Sequence, residues 1–397
     1  SDIRRVLERT LGIPIFQEQV IQLAVIAAGF SPGEADELRR SISTWKNHNN
    51  IQRYENKLVN GMRARGYSQS FSRKIYNQIL GFGEYGFPES HAASFALLVY
   101  VSAWLKYHEP EVFTCALLNS QPMGFYSPSQ LIQDARRHGI EIRPVDVTVS
   151  NWDCTLEKTN KRSALRLGLR LVKGLGQKSA DSLIKAREHK PLRDPHDLML
   201  RGRLNQAELQ SLARSDAFKT LINSHRRRAV WNTSGLLPNT PMFKSTHIPE
   251  GIPIIRPPSD IEETYSDYAS IGLTLGKHPL MLLRSQLTKC HIITNAEAHR
   301  YHPGHIVHVA GLVVTRQKPS TAKNVTFVTL EDETGNINLI VWKAITQNQN
   351  QTLSEAVLLG ASGTIQRTGE VVHLVAQHLF NYTCMLDALV IKTRNFI

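Results

Sequence analysis

A short segment near the middle of the chain has the residue types of a phosphate-binding turn. Residues 171–184 read LVKGLGQKSADSLI, with Gly174 and Gly176 placed ahead of a helical apolar pattern. Glycines allow a tight turn with outward-facing amide N–H groups, and the helix that starts there adds the positive end of its dipole. Such a site holds a phosphate without reading a base, and Lys173 and Lys178 flank it here. The alternative is a simple glycine turn between two packed helices.

Positive charge is concentrated around this turn. Of the 397 residues, 47 are Lys or Arg and 34 are Asp or Glu, which gives a formal net charge of +13. The range 161–230 alone contains 17 Lys or Arg and 6 Asp or Glu, so it carries nearly all of the excess. The turn resembles a helix-hairpin-helix, and a concentrated basic module is typical of a polyanion binder. We therefore expect this region to bind the DNA backbone, and a solvated basic face is the alternative.

The C-terminal quarter of the chain changes to the two-residue period of strands. Its β-like runs are 306–315, 325–330, 337–342, 358–366 and 371–380. A helical stretch at 351–357 separates the third run from the fourth. Three strands, a helix and two strands is the order of an OB-fold, a small Greek-key β-barrel.

The barrel offers a second candidate nucleic-acid surface. We expect its cations to lie in the first long loop and near the last hairpin, where such barrels hold single strands. These cations are Arg316, Lys318, Lys323 and Arg367. Phe327 and Trp342 would stack on bases, and the alternative is that both aromatic rings pack in the barrel core.

Two features of the N-terminal region suit anionic ligands. Arg39 and Arg40 are adjacent on a helix that begins with a capping box of Ser31 and Glu34. They suit a triphosphate or a DNA phosphate, and solvated surface arginines are the alternative. His91 opens a nearly apolar helix that we expect to be buried. It would approach a phosphate there, or make a structural hydrogen bond.

The sequence has no pattern typical of a catalytic metal centre. The spacing of Cys290, His299, His302 and His305 departs from that of known structural metal sites. Two-metal phosphoryl transfer needs close carboxylates, yet no D-x-D occurs, and no G-x-x-x-x-G-K-[ST] loop is present. The one tight acidic cluster, 331–333, is expected to be a solvated turn.

The combined pattern predicts an α+β multidomain protein. Residues 1–150 are mostly helical, and 151–232 combine a small β element with the helix-hairpin-helix. Residues 233–300 form a linker and a short helical segment, and 301–397 form the OB-fold barrel. The cysteines are widely spread, and no apolar run approaches the roughly 20 residues of a spanning helix. We therefore expect a cytoplasmic protein.

Long stretches of the sequence resemble one enzyme family. Residues 14–43 and 81–113, together with the helix-hairpin-helix, are similar to bacterial C-family DNA polymerases, including their fingers domain. This is the family of the replicative polymerase III alpha subunit. Residues 117–154, 330–342 and 393–396 look like its error-prone branch, which acts in damage-induced mutagenesis.

The resemblance implies a DNA-directed DNA polymerase used in translesion synthesis and error-prone repair. It covers the family's C-terminal part, so the palm with its catalytic aspartates and Mg²⁺ would lie upstream of Ser1. No catalytic residue, metal or cofactor is then expected in this chain, which alone would be inactive. Arg39 and Arg40 would face the incoming triphosphate. His91 and the glycine-aromatic loop 81–88 would border the nascent base pair.

The resemblance also implies partners. These are primer–template DNA, single-stranded template, dNTP and two accessory proteins, one inactive and Y-family-like and the other RecA-like. No clamp-binding motif of the Q-x-x-[LM]-F type occurs. A stand-alone, non-catalytic adaptor that bridges DNA and a mutagenesis partner is the alternative function.

Overall fold

A computed structural model describes residues 2–43, 48–82, 88–123, 126–160, 162–236, 253–319 and 325–386. The chain divides into two units, Ser1–Glu109 and Pro110–Ile397. Most of the predicted linker and most of the glycine-aromatic loop lie outside the described residues.

The first unit is helical because its apolar residues recur with the helical period. Its helices are α1 (Asp2–Leu7), α2 (Gln17–Ala28), α3 (Pro32–Ser43), α4 (His48–Ala64), α5 (Gln69–Phe82) and α6 (Glu89–His108). Leu23, Leu58 and Ile79 belong to the buried cluster that joins α1 to α5. The predicted start of α3 is confirmed. Ser31 Oγ accepts from the Glu34 amide at 3.3 Å, and the Glu34 carboxylate accepts from the Ser31 amide at 3.0 Å.

Helix α6 is apolar around its whole circumference and is exposed. None of its residues is buried, and Phe95, Tyr100 and Trp104 are 51%, 71% and 48% exposed. The expectation of a buried helix is therefore wrong for this chain. An all-round apolar pattern indicates that a helix needs cover, but it does not say which segment supplies that cover. No helix in the described part of the chain has the length and hydropathy needed to cross a membrane.

The second unit begins with helices and a small sheet. Its helices before the barrel are α7 (Pro110–Asn119), α8 (Pro128–Arg137), α9 (Gln177–His189), α10 (Pro195–Gly202), α11 (Gln206–Arg214), α12 (Lys219–Ile222), α13 (Arg226–Ser234), α14 (Asp260–Ser270), α15 (Pro279–Lys289) and α16 (Asn295–Ala298). The strands β1 (Ile142–Arg143), β2 (Thr155–Glu157) and β3 (Ala164–Arg166) form a sheet in the order β1-β3-β2.

Helices α7 and α8 share a core with the helix-hairpin-helix region. Leu118 and Ile132 belong to the same buried cluster as Leu183 of α9 and Leu209 of α11. The sequence predicted these two helices to be part of the N-terminal region 1–150. The division at Glu109 instead places them in the second unit, because their buried apolar residues belong to the core of that unit.

The last part of the second unit is a closed five-stranded barrel, as predicted for an OB-fold. Its strands are β4 (Ile306–Gln317), β5 (Val325–Asp332), β6 (Gly335–Trp342), β7 (Leu358–Thr368) and β8 (Val371–Asn381). The short helices α17 (Lys343–Asn348) and α18 (Asn350–Glu355) connect β6 to β7. The strands close in the order β4-β5-β6-β8-β7, around a core that includes Val328, Leu339 and Leu374. Gly311 lets β4 pass close to β5, since a Cβ there would lie 2.8 Å from the Cβ of Leu330.

Candidate nucleic-acid interface

The turn ahead of α9 presents backbone amides at a helix N-terminus. Gly174 adopts a φ of +86°, which favours glycine, whereas Gly176 has a φ of −83° and forms the N-cap of α9. No side chain caps this helix, so its first amide N–H groups have no acceptor within the helix. Together with the positive end of the helix dipole, these amides suit an anion such as a phosphate.

The two lysines beside this turn play different parts. Lys173 donates its amide to Ser270 O at 2.9 Å and its Nζ to Tyr268 O at 3.0 Å. Lys173 therefore links the turn to the C-terminal end of α14 through two hydrogen bonds. Lys178 is exposed in the first turn of α9. It is the better placed of the two to meet a phosphate.

Many cations of the basic module, residues 161–230, form ion pairs within the fold. The residues of this module that pair with carboxylates are Arg166, Arg170, Arg193, Arg201, Lys219, Arg226 and Arg227. Arg226 is only 5% exposed and reaches Glu263 and Asp267 on α14. Lys178, Lys185 and Arg203 lie outside these pairs and are exposed. The outward-facing positive charge is thus smaller than the composition suggests.

The outer face of β5 and β6 carries aromatic and polar side chains. Trp342 is 52% exposed and Phe327 is half-buried, on the side of the sheet opposite the core residue Val328. On the same face, two residues beyond Phe327, Thr329 Oγ1 donates to Asn338 Oδ1 at 2.8 Å. The same face of an OB-fold binds oligonucleotides, with aromatic rings as stacking platforms. Neither ring is fully buried in the barrel core.

Two of the predicted barrel cations are hydrogen-bonded within the fold. Arg316 lies on β4 rather than in the loop, so that expectation is wrong. Its Nε donates to Leu353 O at 2.6 Å, and its guanidinium also reaches Ala356 O. Arg316 therefore donates hydrogen bonds to carbonyl groups at the C-terminal end of α18. Desolvation lowers the pKa of its guanidinium. Arg367 lies on β7 and donates to His299 O at 2.6 Å.

The loop after β4 holds the remaining predicted cations. Lys318 is exposed directly after the last residue of β4. Lys323 lies outside the described residues. In the described part of this loop, Lys318 is therefore the predicted cation that faces solvent.

Asp36 brings the two arginines of α3 together. Arg39 donates through Nε to Asp36 Oδ1 at 2.9 Å, and Arg40 contacts Asp36 Oδ2 at 2.7 Å. Arg39 also donates to Gln17 at 3.3 Å. The hydrogen bond from Arg39 and then that from Arg40 hold the pKa of Asp36 below its usual value. Asp36 was not among the predicted site residues, although its spacing of three and four residues from the arginines was an available signal.

His91 lies on the exposed surface of α6. Its ring packs on Phe95 with the ring centroids 4.3 Å apart. The adjoining residues 83–87 of the glycine-aromatic loop lie outside the described residues. The structure thus assigns His91 an aromatic neighbour on its own helix.

The acidic cluster 331–333 is packed rather than solvated, so that expectation is wrong. Arg284 on α15 donates to Glu333 through Nε at 2.6 Å and Nη2 at 2.8 Å. Asp332 is 3% exposed and accepts from the Asn295 amide at 2.7 Å. Helices α15 and α16 lie over this strand end and replace water with hydrogen-bond donors.

The histidines between α16 and β4 contact backbone carbonyls. His299 Nε2 lies 3.0 Å from Asn336 O, and His305 Nδ1 lies 3.1 Å from His302 O. Within the described ranges, no group of three His, Cys, Asp or Glu side chains is arranged to hold a metal ion.

Family models match three segments of the chain. Residues 1–66 match the bacterial DNA polymerase III alpha subunit finger domain. Residues 139–229 match a helix-hairpin-helix motif, and residues 307–381 match an OB-fold nucleic acid binding domain. The second match contains α9 and the turn ahead of it, and the third contains the barrel strands.

Several error-prone DNA polymerases are similar to the whole chain. The protein of that name from Alkalilimnicola ehrlichii is 53% identical over 99% of this chain and 38% of its own length. That from Methylococcus capsulatus is 51% identical over 99% of this chain and 39% of its own length. That from Pseudomonas aeruginosa is 47% identical over 100% of this chain and 38% of its own length. Among solved structures, asparaginyl-tRNA synthetase from Pyrococcus horikoshii matches 23% of this chain at 18% identity, with a TM-score of only 0.20.

The fold and the exposed hairpin define a nucleic-acid-binding protein with a helical unit, a helix-hairpin-helix region and an OB-fold barrel. The predicted resemblance is confirmed. Over its whole length the chain is similar to a portion of bacterial error-prone DNA polymerases, and it spans about two fifths of the length of the relatives that it matches.

Proposed function

We propose that this chain is the part of an error-prone DNA polymerase that holds DNA during translesion synthesis. The observation that carries the proposal is the uncapped N-terminus of α9. Its amides follow Gly174 at positive φ, and Lys178 lies beside them. This arrangement suits the phosphates of a primer–template duplex and makes no contact with a base.

The barrel would hold the single-stranded template. Trp342 and Phe327 provide stacking surfaces that tolerate any base, and Lys318 lies at the edge where the strand's phosphates would pass. The hydrogen bonds of Arg316 and Arg367 to carbonyl groups assign these two residues to support of the barrel, with any phosphate contact secondary.

The first unit would contact the incoming nucleotide. Arg39 and Arg40 share Asp36, which orients two guanidinium groups side by side, as recognition of a triphosphate by several oxygens requires. The exposed apolar surface of α6 fits a unit that packs against more polypeptide than this chain contains. We assign the palm aspartates and their Mg²⁺ to that further polypeptide, together with the docking of Y-family-like and RecA-like accessory proteins.

A matched pair of charge reversals tests the hairpin. Lys178 and Lys190 lie at opposite ends of α9 and are both exposed. We expect Lys178→Glu to weaken binding to a primer–template duplex about tenfold or more, and Lys190→Glu to weaken it far less. Fluorescence anisotropy titrations over a range of salt concentrations measure both effects. Equal losses in the two variants would contradict the hairpin assignment.

Primer extension separates the proposed portion of a polymerase from the adaptor alternative. The isolated chain with Mg²⁺ and dNTP should bind primer–template DNA without extending it. The full polypeptide should extend the primer and should lose this activity when the residues of this chain are deleted. Full activity after that deletion would favour the stand-alone adaptor instead.

A further inference from the structure

A cavity of about 470 Å³ lies where the helical part of the second unit meets the barrel. Its wall includes Tyr126, Ser129, Tyr268, Val314 and Glu331. This volume lies within the range of sites that bind small organic groups, roughly 300 to 1,000 Å³.

Glu331 places a carboxylate in this wall. The residue is 6% exposed, and within the described residues its carboxylate accepts no hydrogen bond. Among the described residues, the basic side chain within 4 Å of this carboxylate is His278, whose Nε2 lies 3.6 Å from Glu331 Oε1. His278 Nδ1 accepts from the Leu280 amide at 3.2 Å, so the neutral ring carries its proton on Nε2. A buried carboxylate with so few donors is suited to a ligand that supplies N–H groups.

Further polar groups surround the carboxylate. Tyr268 and Ser129 also line the cavity, and the pKa of the Tyr268 phenol is raised, mainly by desolvation and further by the Glu331 carboxylate. Val314 is the extra residue of a β-bulge in β4, so its backbone takes no partner on β5. Tyr126 is 58% exposed and supplies an aromatic wall near the mouth.

The cavity adjoins both candidate nucleic-acid surfaces. The carbonyl of Tyr268 accepts from Lys173 in the hairpin turn, and Glu331 belongs to β5 of the barrel. A DNA strand that contacts both elements would therefore pass near the opening. The chain's net charge of +13 favours such an anionic strand over a cationic peptide as the carrier of the ligand.

We propose that this cavity binds an unstacked guanine base of the DNA strand, with the Glu331 carboxylate accepting hydrogen bonds from guanine N1–H and N2–H₂. The inference rests on the proposed function and adds a base preference to it. Guanine presents two adjacent N–H donors on one edge, which match the two oxygens of a carboxylate. Thymine presents one N–H between two carbonyl oxygens, which would face the carboxylate unfavourably.

The test compares a short oligothymidylate with the same oligomer carrying one central guanine. Fluorescence anisotropy with the whole chain should show about tenfold tighter binding of the guanine oligomer, the discrimination typical of a bidentate base contact. Glu331→Gln, which keeps the shape and removes the charge, should abolish this preference. Glu355→Gln, on the exposed surface of α18, should keep it. If Glu331→Gln does not fold by circular dichroism, Tyr126→Ala provides the second variant and should reduce the preference several-fold.

The outcomes separate this inference from the proposed function. Equal affinity for both oligomers in the wild-type chain would overturn the inference and leave the proposed function standing. Failure to bind either oligomer would overturn both. Guanosine monophosphate that binds as tightly as the guanine oligomer would assign the cavity to a free nucleotide instead of a strand. Binding of arginine amide with loss on Glu331→Gln, and no guanine preference, would assign it to a peptide.

Discussion

Gly174 and Gly176 differ in conformation although they lie two residues apart. Gly174 has a φ of +86°, and a Cβ there would lie 2.8 Å from Ser211 Oγ. Gly176 has a φ of −83°, and a Cβ there would meet no atom within 4 Å. The turn thus requires glycine at one of these positions and accepts other residues at the other.

Alanine substitutions should separate the two glycines. We expect Gly174→Ala to lower the free energy of unfolding of the second unit by about 1–2 kcal/mol, the cost of left-handed backbone for a residue with a Cβ. Gly176→Ala should change it by less than about 0.5 kcal/mol. Urea unfolding followed by circular dichroism measures both. Equal effects of the two substitutions would contradict this account of the turn.

Asp197 on α10 is a buried carboxylate whose protonation is coupled to the stability of the fold. Arg201 donates to it through Nε at 2.8 Å and Nη2 at 2.6 Å, and the Arg193 amide donates to it at 3.1 Å. These hydrogen bonds, first that of Arg201, lower the pKa of Asp197 from an ordinary value of 3.8 to about 2. Because the folded state lowers this pKa, the stabilisation is complete above the ordinary value and is lost as pH falls through about 2.

The effect of Asp197→Asn on stability should therefore depend on pH. Near neutral pH we expect the variant to be less stable than the wild-type chain. The difference in melting temperature should shrink as pH falls from about 4 towards about 2. Thermal unfolding at a series of pH values provides the comparison. A difference that stays constant over that range would mean that the carboxylate's charge contributes nothing.

At the scale of elements, Arg316 connects β4 to the helix that precedes β7. Its hydrogen bonds to the carbonyls of Leu353 and Ala356 satisfy groups at the C-terminal end of α18. Lys318, two residues further along the chain, is exposed directly after the last residue of β4. Neighbouring cations thus divide between support of the barrel and the outer surface.

Arg316→Ala should mainly affect stability, whereas Lys318→Ala should mainly affect DNA binding. Arg316→Ala should destabilise the barrel by about 1.5–3 kcal/mol, as expected for the loss of charged hydrogen bonds. Lys318→Ala should leave stability within about 0.5 kcal/mol and weaken single-stranded DNA binding with a smaller salt dependence. Denaturant unfolding and DNA titration of both variants give the answer. An Arg316→Ala variant as stable as the wild-type chain would contradict the structural role of Arg316.

At the scale of the whole molecule, α6 is the largest departure from a self-contained fold. Leu97, Tyr100 and Tyr107 are 68%, 71% and 80% exposed, among other apolar residues of the same helix. Contiguous apolar surface of this kind marks a site of protein contact or of aggregation. The relatives are more than twice as long as this chain, so their additional residues could pack against a surface such as that of α6.

Charged residues on α6 should improve the behaviour of the isolated chain. The double variant Leu97→Glu and Tyr100→Glu should bind less of an apolar fluorescent dye and scatter less light at high concentration. Ile254→Glu changes a fully exposed apolar residue outside α6 and should have little effect. If both variants behave like the wild-type chain, the α6 surface is not the cause of self-association.

Local patterns in the sequence determined most of the elements. The two-residue period of the barrel strands, the capping box at Ser31 and the glycine turn ahead of α9 all depend on neighbouring residues, so one sequence suffices to find them. The order of these elements predicted an OB-fold, and the structure shows a closed barrel of five strands. The resemblance to C-family polymerases likewise depends on long matching segments, and the relatives confirm it.

Only the tertiary structure decided how side chains are used. The partner of Arg316 lies about 40 residues away along the chain, and Arg284 meets Glu333 across a similar separation. Apolar composition could not show that α6 is exposed among the described residues, because a helix pattern indicates that burial is needed and does not identify the segment that provides it. The orientation of Glu331 into a cavity has the same origin. Burial and pairing are properties of residues that folding brings together, whereas periodicity and capping are properties of residues that the chain already places side by side.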